Sequence, residues 1–154
     1  MLYGVSMNSI DVYSFIAGII YAQIINIYES LRWIGRLWSL EPPLPPAPSK
    51  PNNDGYHLVL AIAYILPFLP LAMIDFASAA LGVITTWTFN DLTWHFWSVK
   101  PKYWTKWMRF YFNPTDRRVM WYARMKLFSI PVSPSLMFFS TIMRIIIMAI
   151  LCYF

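Results

Sequence analysis

The composition of this 154-residue chain excludes an ordinary soluble domain. Hydrophobic residues make up 58% of it and charged residues only 12%, whereas charged residues reach about a quarter of a typical soluble domain. The net charge is +5, and the single cysteine, Cys152, excludes an internal disulfide framework and a multi-cysteine metal site. The composition therefore predicts an all-α integral membrane protein.

The first unit, residues 1–40, contains a predicted membrane helix over residues 10–28, whose only formal charge is Asp11. An interfacial helix is the alternative interpretation. Gln23 and Asn26 are three residues apart on one helical face, where they could hydrogen-bond a neighbouring helix. The first basic residue is Arg32, so we expect the targeting signal to be this helix itself or to lie elsewhere.

The second unit, residues 41–55, is rich in proline. Six of the twelve prolines fall within residues 41–51, so this segment cannot be helical and is predicted to form an extended strap in the polyproline II conformation. A spacer or a strap docked on a surface is the preferred interpretation, and a ligand for a proline-binding domain is the alternative.

The third unit, residues 56–97, is a long apolar segment with an aromatic exit. It either crosses the membrane once or forms a hairpin that reverses near Pro67 and Pro70 or near Asp75. We expect three transmembrane helices, or four if the hairpin forms. The single crossing is preferred because the basic bias of the first connection is weak and because residues 90–97 are poorly soluble in lipid, so that the chain is expected to leave the bilayer near Asn90 and Asp91. Small residues at 77–80 and 82 predict a face for close helix association.

The fourth unit, residues 98–131, is predicted to form basic, aromatic interfacial helices. Lys102, Lys106 and Arg109 share one helical face. The aromatic and apolar residues of the same helix, Trp104, Trp107, Met108 and Tyr111, point the other way. Asn113 and Pro114 predict the start of a second helix that runs toward Leu127.

The cations of this unit predict both a ligand and an orientation. Residues 100–126 hold eight of the twelve cations, which places this connection on the cytoplasmic or matrix side. Basic residues beside a membrane helix favour anionic lipid such as cardiolipin over nucleic acid. The predicted lipid-binding residues are Lys102, Lys106, Arg109, Arg117 and Arg118.

The last unit, residues 132–154, is a predicted membrane helix with a charge near its middle. Arg144 must face protein, water or a lipid headgroup, because a cation at that depth costs roughly 2.5 to 3.5 kcal/mol. Asp75 is the expected partner if one helix covers residues 67–87. Otherwise the partner is another subunit or a lipid phosphate.

The sequence contains no phosphate-binding loop, no paired carboxylates at helical spacing, no metal-binding cluster and no nucleophile beside a base. We therefore expect no catalysis and no cofactor. The predicted function is that of an accessory subunit in a large membrane complex, a mitochondrial inner-membrane respiratory-chain or ATP synthase assembly. The alternative is a quinone-associated or haem-associated anchor subunit of an electron-transfer complex, with a site formed by His95, Asp91 and Trp94 and with His57 as a second imidazole.

Overall fold

The computed structural model of the chain describes residues 9–42, 55–125 and 128–152, which are mostly helical. Two short 3₁₀ turns, Leu66–Phe68 and Pro101–Tyr103, lie between the longer elements. In chain order these elements are helices α1 (Ser9–Ile34), α2 (Tyr56–Ile65), α3 (Leu69–Ala72), α4 (Phe76–Ser98) and α5 (Trp104–Tyr111), strands β1 (Trp121–Met125) and β2 (Phe128–Val132), and helix α6 (Pro134–Leu151).

Two of these helices, α1 and α6, are long and apolar enough to cross a membrane. The segment Tyr56–Ala72, which joins α2 and α3 through the first 3₁₀ turn, is a shorter apolar helix. Residues 43–54 lie outside the described residues, and these include nearly all of the predicted proline-rich strap.

The segment from α2 to α4 is a helical hairpin, which was the less preferred of the two sequence interpretations. The chain reverses over residues 73–75, and the Asp75 side chain caps α4 by accepting a hydrogen bond from the Ser78 amide at 3.2 Å. Phe68 then packs on Gly82, and Tyr64 bonds Asn90, so the two arms run antiparallel.

Helix α4 also continues past the point at which the sequence predicts that the chain leaves the membrane. Asn90 and Asp91 are interior residues of this helix, which ends at Ser98. Their side chains form hydrogen bonds with polar groups on other helices. Both residues can therefore lie inside the bundle, and the helix continues past them.

Successive helices of the bundle alternate in direction when α2 and α3 are counted together as one arm. Helix α1 runs parallel to α4, because Asp11 bonds Ser78 near one end and Ser30 bonds Ser98 near the other. Helix α6 runs antiparallel to α4, because Arg144 reaches Asp91 and Met148 reaches Thr85. With the hairpin between them, the order is that of an up-down-up-down four-helix bundle.

The two connections that carry most of the basic residues meet at one end of this bundle, which we call the basic end. The segment after α1 runs beside the end of α4, where Leu40 forms a parallel bridge with Val99. The backbone amide of Lys100 donates to the Leu40 carbonyl at 3.1 Å. A small apolar core fills the same end, formed by Val99, Trp107, Tyr111, Met120, Val132 and Met137.

The predicted second interfacial helix, from Pro114 toward Leu127, is wrong. The chain instead forms an antiparallel pair of strands in which Trp121 opposes Val132 and Met125 opposes Phe128. The Asn113 side chain bonds the Thr115 amide two residues on, which makes a turn and not a helix start. Pro131 is tolerated in β2 because every strand of a two-stranded sheet is an edge strand.

Burial on the bundle helices is inverted relative to a soluble protein. The buried side of α1 is largely polar, while its exposed side is largely apolar. The polar residues buried on α1 are Asp11, Ser14, Asn26, Glu29 and Ser30. The large apolar residues exposed on it are Ile10, Val12, Tyr13, Ile16, Ile20, Ile24, Tyr28 and Leu31. Helix α6 follows this rule in part, since it buries Thr141 and Arg144 together with Pro134, Met137 and Met148, and exposes a row of isoleucines.

Candidate functional site

Helices α1 and α4 approach each other closely at two glycines. A Cβ atom added to Gly18 on α1 would lie 2.8 Å from the Gly82 carbonyl oxygen and 2.9 Å from Thr85 Cβ, both on α4. Only glycine fits there, because the first of these contacts is with backbone. The predicted association face at residues 77–82 is confirmed, since Ser78, Ala79 and Gly82 are buried.

Toward the basic end, side-chain hydrogen bonds join α1 to α4. Both Gln23 Nε2 and Asn26 Nδ2 donate to Thr93 Oγ1 at 2.9 Å, which confirms the prediction that these two residues bond a neighbouring helix. The indole of Trp97 donates to Gln23 Oε1 at 2.8 Å. Bonds of this kind hold helices together where apolar packing gives no preference for one neighbour over another.

Glu29 lies one turn further along α1 and forms the centre of a buried polar cluster. Its Oε1 accepts a hydrogen bond from the hydroxyl of Tyr56, and its Oε2 accepts one from Asn90 Nδ2 at 2.7 Å. The same amide nitrogen donates to Asn26 Oδ1 at 2.7 Å. Tyr64 donates to Asn90 Oδ1 at 2.6 Å, so α1, α2 and α4 meet in this cluster.

Sequence reasoning missed this cluster apart from Asn26. A signal was present on α1, where Glu29 follows Asn26 by three residues on the same helical face as Gln23. On α4 the same spacing separates Asn90 from Thr93. The partners on α2 follow only from the hairpin, because nothing local connects Tyr56 with a glutamate on another helix.

A second charged site joins α4 to α6. Arg144 Nη1 lies 2.7 Å from Asp91 Oδ2, and Arg144 is 4% exposed. Its other donors bond the Ser140 carbonyl at 3.2 Å and Thr141 Oγ1 at 3.3 Å. The Trp87 ring, 4.6 Å from the guanidinium carbon, covers it from the outside.

The predicted pairing of Arg144 with Asp75 is therefore wrong. Asp75 is the capping residue of α4, and its carboxylate oxygens accept hydrogen bonds from Ser78. The hairpin explains the error, because the reversal at residues 73–75 puts Asp75 at the end of the bundle away from the basic end. Asp91 then lies level with Arg144.

The five predicted lipid-binding residues are all exposed near the basic end, but they differ in their partners. Lys102, Lys106 and Arg109 lie on one side of the 3₁₀ turn and α5, and none of them forms an ion pair with a described residue. Arg118 is already paired with Asp116 at 2.6 Å, and Arg117 is exposed beside it. The Arg118 guanidinium holds the pKa of the Asp116 carboxyl below its ordinary value.

Part of the apolar side of α5 packs against the chain itself. Trp107 is 2% exposed and Tyr111 is 5% exposed, because they pack into the core at the basic end. Helix α5 is amphipathic, as predicted, and the chain's own core covers Trp107 and Tyr111 on its apolar face. The cationic face of α5 is exposed, while Trp104 and Met108 on its apolar side are partly exposed.

The two histidines lie toward the basic end of the bundle, since His57 is the second residue of α2 and His95 is one turn from the end of α4. His95 is 1% exposed, and its Nε2 has no hydrogen-bond partner among the described residues. Across residues 9–42, 55–125 and 128–152, no three His, Cys, Asp or Glu side chains are grouped to hold a metal ion.

Comparisons with protein-family models, with curated proteins and with solved structures find nothing that matches this chain.

Proposed function

We propose that the chain is an integral membrane protein whose bundle crosses the bilayer four times. The inverted burial on α1 and α6 is the observation that carries this proposal, since polar groups turn inward and isoleucines outward where the surrounding solvent is hydrocarbon. The length of α1 also supports this proposal. From Asp11 to Ser30, α1 rises about 28 Å at about 1.5 Å per residue, close to the thickness of a hydrocarbon core.

The charge distribution supports the same arrangement. A four-pass bundle places both basic connections on one side, as the excess of Lys and Arg on the cytoplasmic or matrix side of membrane proteins requires. A three-pass chain would put the first connection, with Arg32 and Arg36, on the side opposite to Lys100–Lys126. The four-pass proposal removes that conflict.

Cysteine labelling tests this topology in a Cys152→Ser background. Ser39→Cys and Thr115→Cys are expected to react with an impermeant thiol reagent from the same side of a vesicle, and Ser9→Cys from the other side. Labelling of residues 39 and 115 from opposite sides would contradict the four-pass arrangement.

Within that membrane class, we propose that the chain is a non-catalytic accessory subunit of a large assembly, a respiratory-chain or ATP synthase complex of the mitochondrial inner membrane. Such assemblies contain many small helical subunits that contribute packing and lipid contacts without chemistry of their own. Two features support the subunit role. The apolar outer faces of α1 and α6 offer contact area to neighbouring helices, and the exposed cations at the basic end suit anionic lipid.

Gentle detergent extraction followed by a native gel tests the subunit role. The chain is expected to migrate in a band far larger than itself, together with other proteins that mass spectrometry identifies, and to leave that band in a denaturing detergent. Migration as the isolated chain after the gentlest extraction would contradict the proposal.

A second candidate function is a quinone-associated or haem-associated anchor. The observation in its favour is the buried Nε2 of His95, which is free to bond a ligand, on the same helix as Asp91 and Trp94. The hairpin also brings His57 to the same end of the bundle as His95. Haem absorbance or extractable quinone in the native band, lost in His95→Ala, would favour this candidate over the accessory subunit.

A further inference from the structure

Two carboxylates lie within the bundle near the basic end, and they differ in their partners. Asp91 has the guanidinium of Arg144. Glu29 is 8% exposed and is bonded only by neutral donors, the Tyr56 hydroxyl and the Asn90 amide. Among the described residues, no cation lies within 4.0 Å of the Glu29 oxygens.

A carboxylate in this position is costly to keep charged. Burial of an ion without a counter-ion removes it from water, and two hydrogen bonds from neutral donors replace only part of the lost solvation. Uptake of one proton removes the charge while the side chain stays in place. We propose that Glu29 is a proton-binding site, at which the carboxylate takes one proton from water and becomes the neutral acid.

The hydrogen bonds around Glu29 are suited to both forms. In the charged form both oxygens accept, from Tyr56 and from Asn90. In the neutral form Oε1 carries the proton and donates to the Tyr56 oxygen, while Oε2 still accepts from Asn90. No other bond forms or breaks, so the step is a single protonation.

Other titratable and charged groups face this site from every neighbouring helix, and the proton affinity of Glu29 depends on them. Asp91 on α4 is a like charge that favours proton uptake, and Arg144 on α6 offsets it. The remaining groups are Tyr56, His57 and Tyr64 from α2 and Tyr111 from α5, where His57 interacts with Asp91.

The cluster also determines the side from which the proton arrives. Toward the middle of the bundle, the neighbours of Glu29 are the amides of Asn90 and Asn26, whose N–H groups hold their protons and cannot relay one. Toward the basic end lies Tyr56, the first residue of α2. We therefore expect Glu29 to exchange its proton through Tyr56, at the basic end.

This inference concerns the interior of the bundle, so it stands whether or not the chain joins a larger assembly. Infrared spectroscopy of the full chain in lipid vesicles measures it directly. As the pH is lowered, a protonated-carboxyl band that shifts in D₂O is expected to grow. The band should be lost in Glu29→Gln and kept in Glu41→Gln, the matched control at an exposed glutamate of the same end.

Tyr56→Phe gives a second test that does not depend on folding of the Gln variant. Tyr56→Phe removes a hydrogen bond from both forms, but the bond to the charged form is the stronger of the two. The midpoint of the band is therefore expected to move to higher pH by about one unit, a tenfold gain in proton affinity. An unchanged midpoint in Tyr56→Phe would overturn the proposal. A band that survives in Glu29→Gln and disappears in Asp91→Asn would also overturn it, since the proton would then belong to Asp91.

Discussion

Arg144 on α6 and Asp91 on α4 form an ion pair across the interior of the bundle, with 2.7 Å between Nη1 and Oδ2. Arg144 donates its remaining bonds to its own helix, at Ser140 and Thr141. The pair therefore fixes the position of α6 along α4 and defines which residues of the two helices lie at the same level.

Arg144→Leu is expected to leave membrane insertion intact and to destabilise the bundle by about 3 to 5 kcal/mol, because it leaves the Asp91 charge without its counter-ion. We also expect the variant to be lost from the native assembly. Thermal unfolding in detergent and the yield of the large native band measure the two effects, and an unchanged yield would contradict the second.

A double-mutant cycle shows which acid is the partner. Asp91→Leu combined with Arg144→Leu should recover much of the stability that Arg144→Leu loses, since neither charge is then buried alone. Asp75→Asn is the matched control at the acid that the sequence predicted. Its effect should add to that of Arg144→Leu without coupling, and a coupling energy larger at Asp75 than at Asp91 would refute the observed pairing.

Gly18→Ala is expected to destabilise the contact between α1 and α4 by about 1 to 3 kcal/mol. The added methyl group would meet the Gly82 carbonyl oxygen at 2.8 Å, and a backbone atom inside a helix cannot yield without moving the helix. Ile20→Ala on the exposed side of α1 is the control, and it should change the unfolding temperature in detergent much less. Equal effects of the two substitutions would contradict the close approach.

The triple variant Lys102→Gln, Lys106→Gln and Arg109→Gln is expected to lose bound anionic lipid in native mass spectrometry. Each cation contributes about 1 kcal/mol near a charged membrane surface, so the combined loss in lipid affinity should exceed a hundredfold. Arg118→Gln is the matched control, because Asp116 already neutralises that cation. Retention of lipid by the triple variant would refute the assignment of these residues.

The contact of Glu41 with Lys100 predicts a weak pH dependence at the basic end. The hydrogen bond from Lys100, followed by that from Tyr103, holds the pKa of the exposed Glu41 carboxyl below its ordinary value of 4.5. A carboxyl with a lowered pKa stabilises the folded state above its unfolded pKa, and this stabilisation is lost as the pH falls through the folded pKa. The contact should therefore weaken only below about pH 4.5.

Hydrogen exchange of the Lys100 amide, which bonds the Leu40 carbonyl, measures that weakening. Exchange should quicken in acid relative to the intrinsic rate of the amide, and Glu41→Gln should remove the pH dependence. A variant that keeps the wild-type profile would show that another group is responsible.

The prediction of helices was most successful where it rested on local composition. The apolar runs that became α1 and α6 were identified because each is long enough to cross a membrane and carries a single formal charge, Asp11 in the first and Arg144 in the last. The face of Gln23 and Asn26 was identified because helical spacing alone places them together.

Local signals failed where another part of the chain offered better partners. Asn113 and Pro114 resemble a helix start, yet the following residues pair with residues 128–132 as a second strand. Similarly, the apolar face of α5 predicts a membrane contact, but the chain's own core covers part of it.

The sequence by itself therefore determined the helical class of the fold, the two apolar helices long enough to cross a membrane and the concentration of positive charge in one connection, because these are properties of composition and spacing. Only the tertiary structure decided that Arg144 pairs with Asp91 and not with Asp75, and that Glu29 meets Tyr56 and Asn90. The physical reason is the reversal at residues 73–75. The position of the hairpin turn sets which polar groups lie at the same depth in the bundle. A polar group inside the bundle forms hydrogen bonds with the polar groups at its own depth.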